Sequence, residues 1–213
     1  KNKKIDYFIN FATLYKNSHR HSEIPKFINA NIIFPTIVLD TIFPKVKKII
    51  NFGTMMQHLD GKNYYPKNFY ASTKSAFEMI MNYYTTKNKN FKFYNLKFYE
   101  SFSEEDYRKK LIPKLLKNYK NNSFTKIISK NLELNIIHLE DIINSINIAL
   151  NKNIQSGTYC LINKKNIKID KLIQNINKKS KRKIKVKYIN HTKIIPSKSK
   201  LKILPNWKPM YDI

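Results

Sequence analysis

Cysteine and glycine are both scarce in this chain of 213 residues. Cys160 is the one cysteine, so no disulfide can form within the chain, and a reducing compartment, the cytoplasm, is expected. A thiol inside the apolar segment GTYCLI is more often a buried filler than a nucleophile. The three glycines are widely separated, at positions 53, 61 and 157. The chain therefore has no glycine-rich turn of the kind that cradles a phosphate.

Uninterrupted apolar segments and metal-ligand spacings are also missing. The most apolar window, FINANIIFPTIVLDTIF (27–43), contains Asn31, Pro35 and Asp40. These interruptions predict a buried helix rather than a membrane span, and we expect no membrane partner. The five histidines follow no metal-ligand spacing, so no metal site is predicted.

Acidic residues are few, and the balance of charge is strongly positive. Lysine and arginine number 41 against 14 acidic residues, which gives a formal net charge of +27. Such a charge is one signature of nucleic-acid binding, and that alternative stays open. However, only three of the basic residues are arginine, the side chain that reads phosphates and bases in forked geometry. Lys, Asn, Ile, Tyr and Phe are all in excess and all have AT-rich codons, so we favour codon bias as the explanation.

The order of apolar segments predicts an α/β fold. Short, nearly continuous apolar runs indicate strands buried on both faces, and they alternate with helical stripes. Strands are predicted at 5–13, 45–54 and 91–99, and helices at about 25–43 and 68–87. A later helix at 138–152 and a strand in GTYCLIN continue the pattern. Strand–helix–strand repetition of this kind is typical of a parallel sheet with right-handed crossovers.

Two Tyr-x-x-x-Lys pairs occur, Tyr70/Lys74 and Tyr83/Lys87. With 14 tyrosines and 38 lysines among 213 residues, about 2.5 such pairs are expected by chance, so the spacing alone proves nothing. Position separates them. Tyr70 begins a predicted helix and follows a strand that ends at Thr54, at the sheet edge where ligands bind in parallel sheets. The second pair lies at the far end of the helix and is interpreted as packing and solvated charge.

Thr54, Tyr70 and Lys74 together suit a reaction that moves a hydride and a proton. Free tyrosine has a pKa near 10 and is a poor base at neutral pH. An ammonium one helical turn away lowers that pKa, so Lys74 would activate Tyr70 for proton transfer. The hydroxyl of Thr54 would hydrogen-bond the same substrate oxygen and orient it.

Seven segments, in order, resemble the extended short-chain dehydrogenase/reductases, the NAD-dependent epimerase/dehydratase family that acts on nucleotide sugars. The similar segments are IDYFINFAT, ANIIFPTIVLD, NFGT, YASTK, NLKFYESFSEEDYRKKLIP, LNIIHLEDIINSINIAL and SGTYCLINKKNIKIDKLIQNI. The resemblance implies a Rossmann-like, doubly wound parallel sheet that lacks its N-terminal strands, with a small C-terminal α/β substrate lobe. It assigns 1–100 and 125–152 to the dinucleotide-binding part, and 101–124 and 153–213 to the lobe.

The same resemblance implies an activity and its residues. It implies an NAD- or NADP-dependent reductase or epimerase of a nucleotide-activated (deoxy)sugar, as used in surface-polysaccharide synthesis. Whether the protein forms a homodimer is left open. Tyr70, Lys74 and Thr54 are the catalytic candidates, and Glu100 and Arg108 are the substrate-binding candidates. The positions that match the cofactor contacts of the family are Ala12, Thr13, Asn31 and Lys74.

Three departures from the family pattern keep alternatives open. The glycine-rich turn that would separate NAD from NADP is absent, so the chain is expected to be either a fragment of a longer protein or a truncated, non-catalytic remnant. Residues 1–213 alone are not expected to bind the cofactor or to fold stably.

The other two departures are local. Phe102-Ser103-Glu104 replaces the usual Tyr-Gly-Pro. Met55 and Met56 stand where dehydratases carry Asp-Glu, which argues against a 4,6-dehydratase. For Arg108, an ion pair with Glu104 or Glu105 is the alternative to phosphate binding.

Overall fold

Helices and strands alternate along the chain as the apolar pattern predicts. The computed structural model describes residues 5–43, 45–88, 90–108, 110–179 and 182–211. The strands are β1 Tyr7–Asn10, β2 Lys48–Thr54, β3 Lys92–Phe98, β4 Glu100–Phe102, β5 Thr125–Ser129, β6 Glu133–Leu134, β7 Ile136–His138, β8 Gly157–Cys160, β9 Ile167–Lys168 and β10 Val186–Asn190. The α-helices are α1 Ile24–Ile28, α2 Phe34–Ile42, α3 Phe69–Lys87, α4 Leu111–Lys120, α5 Leu139–Asn151 and α6 Ile169–Lys179.

Four strands form the main sheet, in the order β1-β2-β3-β8, and every neighbouring pair is parallel. Successive side chains of a strand point to opposite faces, yet Ile49 and Ile50 of β2 are both fully buried. The sheet is therefore covered on both faces, which explains why its strands read as continuous apolar runs. This Rossmann-like arrangement confirms the predicted fold class.

The predicted helix at 25–43 is present but is divided by a π-helical turn. Asn29–Ile33 forms that turn between α1 and α2. Proline has no N–H to donate, and its ring crowds the carbonyl four residues earlier, so Pro35 disturbs the helix at Asn31. No helix within the described residues is long and apolar enough to cross a membrane.

The helix α3 follows the prediction closely and is fixed at its first turn. The side chain of Asn68 accepts a hydrogen bond from the backbone N–H of Ala71 at 2.9 Å, which caps the helix. Its buried stripe packs on one face of the main sheet and on α2, in a cluster made of Leu39, Val46, Ile49, Phe77, Met81, Tyr84, Phe91 and Phe93.

The chain divides into two compact units. The first comprises the described residues of Lys1–Phe98, Asn144–Leu161 and Ser197–Trp207. The second comprises those of Tyr99–Ile143, Ile162–Pro196 and Lys208–Ile213.

These bounds differ from the predicted division at four places, 99–100, 125–143, 153–161 and 197–207. Residues 125–143 lie in the second unit because β5 pairs with β10, and 153–161 lie in the first because β8 pairs with β3. Which unit binds the dinucleotide and which the sugar stays a prediction.

The second unit is a small α/β assembly with its own core. Its described residues form three two-stranded sheets, β5/β10, β4/β7 and β6/β9. Its core cluster of buried residues consists of Ile112, Leu115, Ile127, Leu132, Ile136, Ile169, Leu172, Ile173 and Ile184.

Candidate active site

Thr54 ends β2 and also caps the short helical turn that follows it. Its hydroxyl accepts a hydrogen bond from the backbone N–H of Met56 at 3.2 Å, and its own N–H donates to Oε1 of Gln57 at 2.9 Å. The residue is 6% exposed. The predicted strand-end hydroxyl is therefore present and held on both sides by local contacts.

Tyr70 and Lys74 lie one turn apart near the start of α3, and both are buried, with 9% and 4% exposure. The ring of Tyr15 meets the ring of Tyr70 edge to face, with centroids 4.9 Å apart. Burial lowers the pKa of Lys74 to about 8, although the nearby carboxylate of Glu78 acts in the opposite direction. No hydrogen bond to the Lys74 ammonium is found among the described residues. A buried cation without an acceptor is suited to hold a ligand oxygen.

The other Tyr-x-x-x-Lys pair has a different environment. Tyr83 is 53% exposed, and the ammonium of Lys87 lies over its ring, 4.9 Å from the centroid. This agrees with the interpretation of that pair as surface packing and solvated charge.

Asn31 connects the end of β1 to α3. Its Oδ1 accepts hydrogen bonds from the N–H of Leu14 at 2.7 Å and from the hydroxyl of Thr13 at 3.2 Å. Its Nδ2 donates to the carbonyl of Leu14 at 3.0 Å and to Oγ1 of Thr73 at 2.9 Å. Thr73 in turn donates to the carbonyl of Tyr70. Since the whole amide is engaged by protein groups, Asn31 positions the segment after β1 against the helix that carries Tyr70.

Ala12 and Thr13, the other predicted cofactor contacts, follow β1 and are exposed. The backbone N–H of Ala12 donates to Oδ1 of Asn10 at 3.1 Å, and Thr13 contacts Asn31 as described. The structure thus brings Ala12, Thr13, Asn31, Thr54, Tyr70 and Lys74 into one compact unit.

Glu100 and Arg108, the predicted substrate contacts, belong to the second unit. Lys110 donates to Oε2 of Glu100 at 3.0 Å. The guanidinium of Arg108 forms a forked ion pair, but with Asp106 rather than with Glu104 or Glu105 as the alternative proposed. It also donates to the hydroxyl of Ser101 at 3.1 Å. The roles of both residues in substrate binding stay predictions.

Sequence reasoning missed a buried polar cluster beside these residues. Glu78 and Lys97 are fully buried and form an ion pair of 2.7 Å. Nζ of Lys97 also donates to Nε2 of His58 at 2.7 Å and lies over the ring of Tyr64. Two features of the sequence could have indicated this buried cluster. Glu78 follows Lys74 by one helical turn, and Lys97 interrupts the otherwise apolar strand FYNLKFY.

The ionisation states within this cluster follow from its hydrogen bonds. Burial raises the pKa of Glu78, but the Lys97 ammonium and the hydroxyls of Thr158 and Tyr64 outweigh it, so the pKa lies below its ordinary value. Nδ1 of His58 faces the carbonyl of Asn63 at 2.9 Å, so it carries the proton. His58 is therefore neutral, and burial, followed by the charge of Lys97, lowers its pKa.

The hydroxyl of Thr54, the phenol of Tyr70 and the ammonium of Lys74 suit a proton transfer to or from a carbinol oxygen. Met55, which is buried, and Met56 follow Thr54.

Sequence comparison with known proteins finds a family profile that matches most of the chain and a curated relative. The profile of the family described as "NAD dependent epimerase/dehydratase family" matches residues 1–162. A curated relative, CDP-abequose synthase of Yersinia pseudotuberculosis, is 26% identical over 143 residues, which cover 66% of this chain and 50% of the relative. The chain thus spans about half the length of that relative.

Solved structures show the same fold. A point mutant of UDP-glucuronic acid 4-epimerase from Bacillus cereus, in complex with UDP-4-deoxy-4-fluoro-glucuronic acid and NAD, has a TM-score of 0.82 at 17% identity. That match covers 98% of this chain and 71% of the epimerase. The UDP-N-acetylglucosamine 4-epimerase of Methanobrevibacter ruminantium M1, in complex with UDP-N-acetylmuramic acid, has a TM-score of 0.81 at 17% identity, covering 96% and 71% of the two chains.

Proposed function

Because the chain belongs to the NAD-dependent epimerase/dehydratase family, we propose that it carries the catalytic residues of an NAD- or NADP-dependent reductase or epimerase. The substrate is a nucleotide-activated (deoxy)sugar. One observation carries the proposal: Tyr70 and Lys74 are buried one turn apart on α3, in the same unit as the strand-end hydroxyl of Thr54. Met55 and Met56, in place of carboxylates, favour reduction or epimerisation over elimination.

The residues of the site have distinct chemical tasks. Tyr70 gives a proton to the reacting sugar oxygen, or takes it, and Thr54 hydrogen-bonds that oxygen and orients it. Lys74 favours the phenolate form of Tyr70 by its charge. Glu100 and Arg108 are the candidates for contact with the sugar nucleotide, Arg108 through its guanidinium fork.

The residues present fit a nicotinamide cofactor. Bound NAD or NADP would supply or accept the hydride. The Lys74 ammonium, buried and without an acceptor among the described residues, is suited to a ribose hydroxyl. Ala12, whose N–H is bonded to Asn10, and Thr13, whose hydroxyl is bonded to Asn31, would line the cofactor after the end of β1.

The relatives support a sugar nucleotide but differ in its base. The curated relative is named for a CDP-linked sugar, and the two solved epimerases were crystallised with UDP-linked compounds. Both classes belong in the assay. A role in surface-polysaccharide synthesis, a cytoplasmic location and a homodimer remain parts of the proposal.

The test compares Tyr70→Phe with Tyr83→Phe in the protein expressed from its complete reading frame. Both variants remove one hydroxyl from the same helix, four residues before a lysine. Turnover is followed by nicotinamide absorbance with CDP- and UDP-linked sugars and their 4-keto forms. We expect Tyr70→Phe to lower kcat by about 100-fold or more and Tyr83→Phe to leave it within about twofold.

Two results would decide against the proposal. Near-wild-type turnover by Tyr70→Phe would remove Tyr70 from the mechanism. Absence of both turnover and nicotinamide binding in the wild-type protein would favour the non-catalytic remnant. Net consumption of NADH or NADPH identifies a reductase, whereas interconversion of two sugars without net consumption identifies an epimerase.

A further inference from the structure

One buried amide connects the strand end that carries Thr54 to the helix that carries Tyr70 and Lys74. Oε1 of Gln57 accepts the hydrogen bond from the Thr54 N–H at 2.9 Å. Nε2 of Gln57 donates to Oε2 of Glu78 at 2.9 Å and to Oγ of Ser75 at 3.1 Å. Gln57 is fully buried. Its amide accepts on the strand side and donates on the helix side.

The neighbouring strand residue makes room for this amide. A Cβ atom at Gly53 would lie 2.8 Å from Oε1 of Gln57 and 2.8 Å from Cγ of Lys97, closer than real contacts allow. Gly53 is therefore required for space, because any side chain there would displace Gln57 or Lys97.

The helix side of the connection is a rigid anchor. The Glu78 carboxylate receives hydrogen bonds from Lys97, Gln57, Thr158 and Tyr64. Lys97 comes from β3 and Thr158 from β8, so the carboxylate ties α3 to two strands as well as to Gln57. A buried charge satisfied from several sides holds its geometry, because moving any partner leaves a buried polar group unpaired.

From these contacts we propose that Gln57 is a positioning residue for the proton transfer. It fixes the Thr54 hydroxyl relative to Tyr70 and Lys74 through the anchored carboxylate of Glu78. The inference rests on the proposed function, since the reaction gives that separation its importance. A displacement of about 1 Å between reacting groups can reduce turnover by roughly two orders of magnitude.

A matched pair of variants separates positioning from stability. Gln57→Met keeps the length of the side chain but removes its hydrogen bonds to the Thr54 N–H and to Glu78. Thr158→Val removes one hydrogen bond to the same Glu78 carboxylate and leaves Thr54 attached. We expect both to lower the melting temperature, Gln57→Met to lower kcat by roughly 10- to 100-fold, and Thr158→Val to leave kcat within about twofold.

Hydrogen–deuterium exchange provides a readout that needs no turnover. In Gln57→Met the backbone amide of Thr54 loses its acceptor, so the peptide over 52–57 is expected to exchange faster. In Thr158→Val the exchange of that peptide should be unchanged. Equal protection of 52–57 in wild type and Gln57→Met, or equal loss of kcat in the two variants, overturns the inference.

Gln57→Glu adds a pH signature and covers the case in which Gln57→Met fails to fold. The introduced carboxyl group faces Glu78, and Lys74, Lys97, His58 and Tyr64 are the other titratable groups that interact with the same carboxylate. While protonated it can donate to Glu78 as the amide does, and when ionised it repels it. The ratio of variant to wild-type kcat should therefore fall as pH rises, and a pH-independent ratio contradicts the proposal.

Failure of this inference is distinguishable from failure of the proposed function. Tyr70→Phe reports on the proposed function alone. If Tyr70→Phe loses turnover but Gln57→Met keeps both turnover and protection, only the role of Gln57 is rejected.

Discussion

At the residue scale, Lys74 combines a functional position with a cost in stability. The residue is 4% exposed and its pKa is lowered to about 8, because burial disfavours the charged form. At pH 7 the residue is charged in both the folded and the unfolded chain. The folded state therefore bears a desolvation cost that an apolar side chain would not have.

We predict that Lys74→Met is more stable than the wild type at pH 7, by about 3 kcal/mol from the shift of the pKa below its ordinary value near 10.5. Between pH 8 and 10.5 the unfolded chain holds a proton that the folded chain has released, so wild-type stability rises with pH there. The advantage of the variant should therefore shrink over this range. Urea unfolding of both proteins without cofactor, at several pH values, measures this difference in the free energy of unfolding.

Lys87→Met is the control for this prediction, because Lys87 lies on the same helix and is exposed. It should change stability by less than about 0.5 kcal/mol. Destabilisation by Lys74→Met at pH 7 would mean that contacts of its aliphatic chain outweigh the cost of burying the charge.

The sequence supplied part of the site at this scale and left part of it out. The placement of Thr54 at a strand end and of Tyr70 and Lys74 on the following long helix was predictable from the order of the apolar segments, and their catalytic roles stay a prediction. Gln57 was not predictable, because its role depends on a contact with Glu78 across 21 positions of the chain. For Arg108 an ion pair with Glu104 or Glu105 was the alternative to substrate binding, and the partner that it has, Asp106, depends on the local turn.

At the scale of elements, the main sheet contains a row of three buried asparagines. Asn10, Asn51 and Asn95 stand in register on β1, β2 and β3. Asn10 donates to Asn51 at 2.9 Å, and Asn51 donates to Asn95 at 2.8 Å. The N–H of Ala12 donates to Oδ1 of Asn10, which fixes the orientation of the whole row. Nδ2 of Asn95 is buried without a partner among the described residues.

The direction of the hydrogen bonds in this row predicts that two similar substitutions lower the free energy of unfolding by different amounts. Asn51→Ala leaves two buried groups unpaired, Nδ2 of Asn10 and Oδ1 of Asn95, and should destabilise the fold by about 2 to 5 kcal/mol. Asn95→Ala leaves Nδ2 of Asn51 unpaired but removes a donor that already lacked a partner. We expect it to cost about 1 to 3 kcal/mol less than Asn51→Ala in urea unfolding. An equal or larger cost for Asn95→Ala would contradict the row's direction.

Elements with strong local signals were predictable, and pairings between distant segments were not. The helix predicted at 68–87 is α3, Phe69–Lys87, because capping and an apolar stripe both act locally. The π turn before Pro35 was not predicted, because the apolar pattern indicates one continuous helix over 25–43. β5 and β10 are 57 or more positions apart, so no local pattern indicates that they pair.

At the scale of the whole molecule, the net charge of +27 acts on folding as well as on binding. Between residues 164 and 202, 15 basic residues accompany the single acid Asp170. Like charges at this density repel one another in the compact state more than in the expanded chain. Ion pairs such as that of Glu78 do not reduce this excess, because the 14 acidic residues are already counted in the net charge.

We therefore predict that salt stabilises the protein. Raising NaCl from about 20 to about 200 mM shortens the screening length from roughly 20 Å to roughly 7 Å and weakens the repulsion. The melting temperature should rise by a few degrees, about 1 kcal/mol for a chain of this size. A fall of the melting temperature with salt would show that surface ion pairs outweigh the repulsion.

The same salt series tests the nucleic-acid alternative, with the fluorescence anisotropy of a labelled DNA duplex as the measurement. That alternative requires binding that persists at about 200 mM salt, whereas binding by unspecific charge alone disappears when the charge is screened.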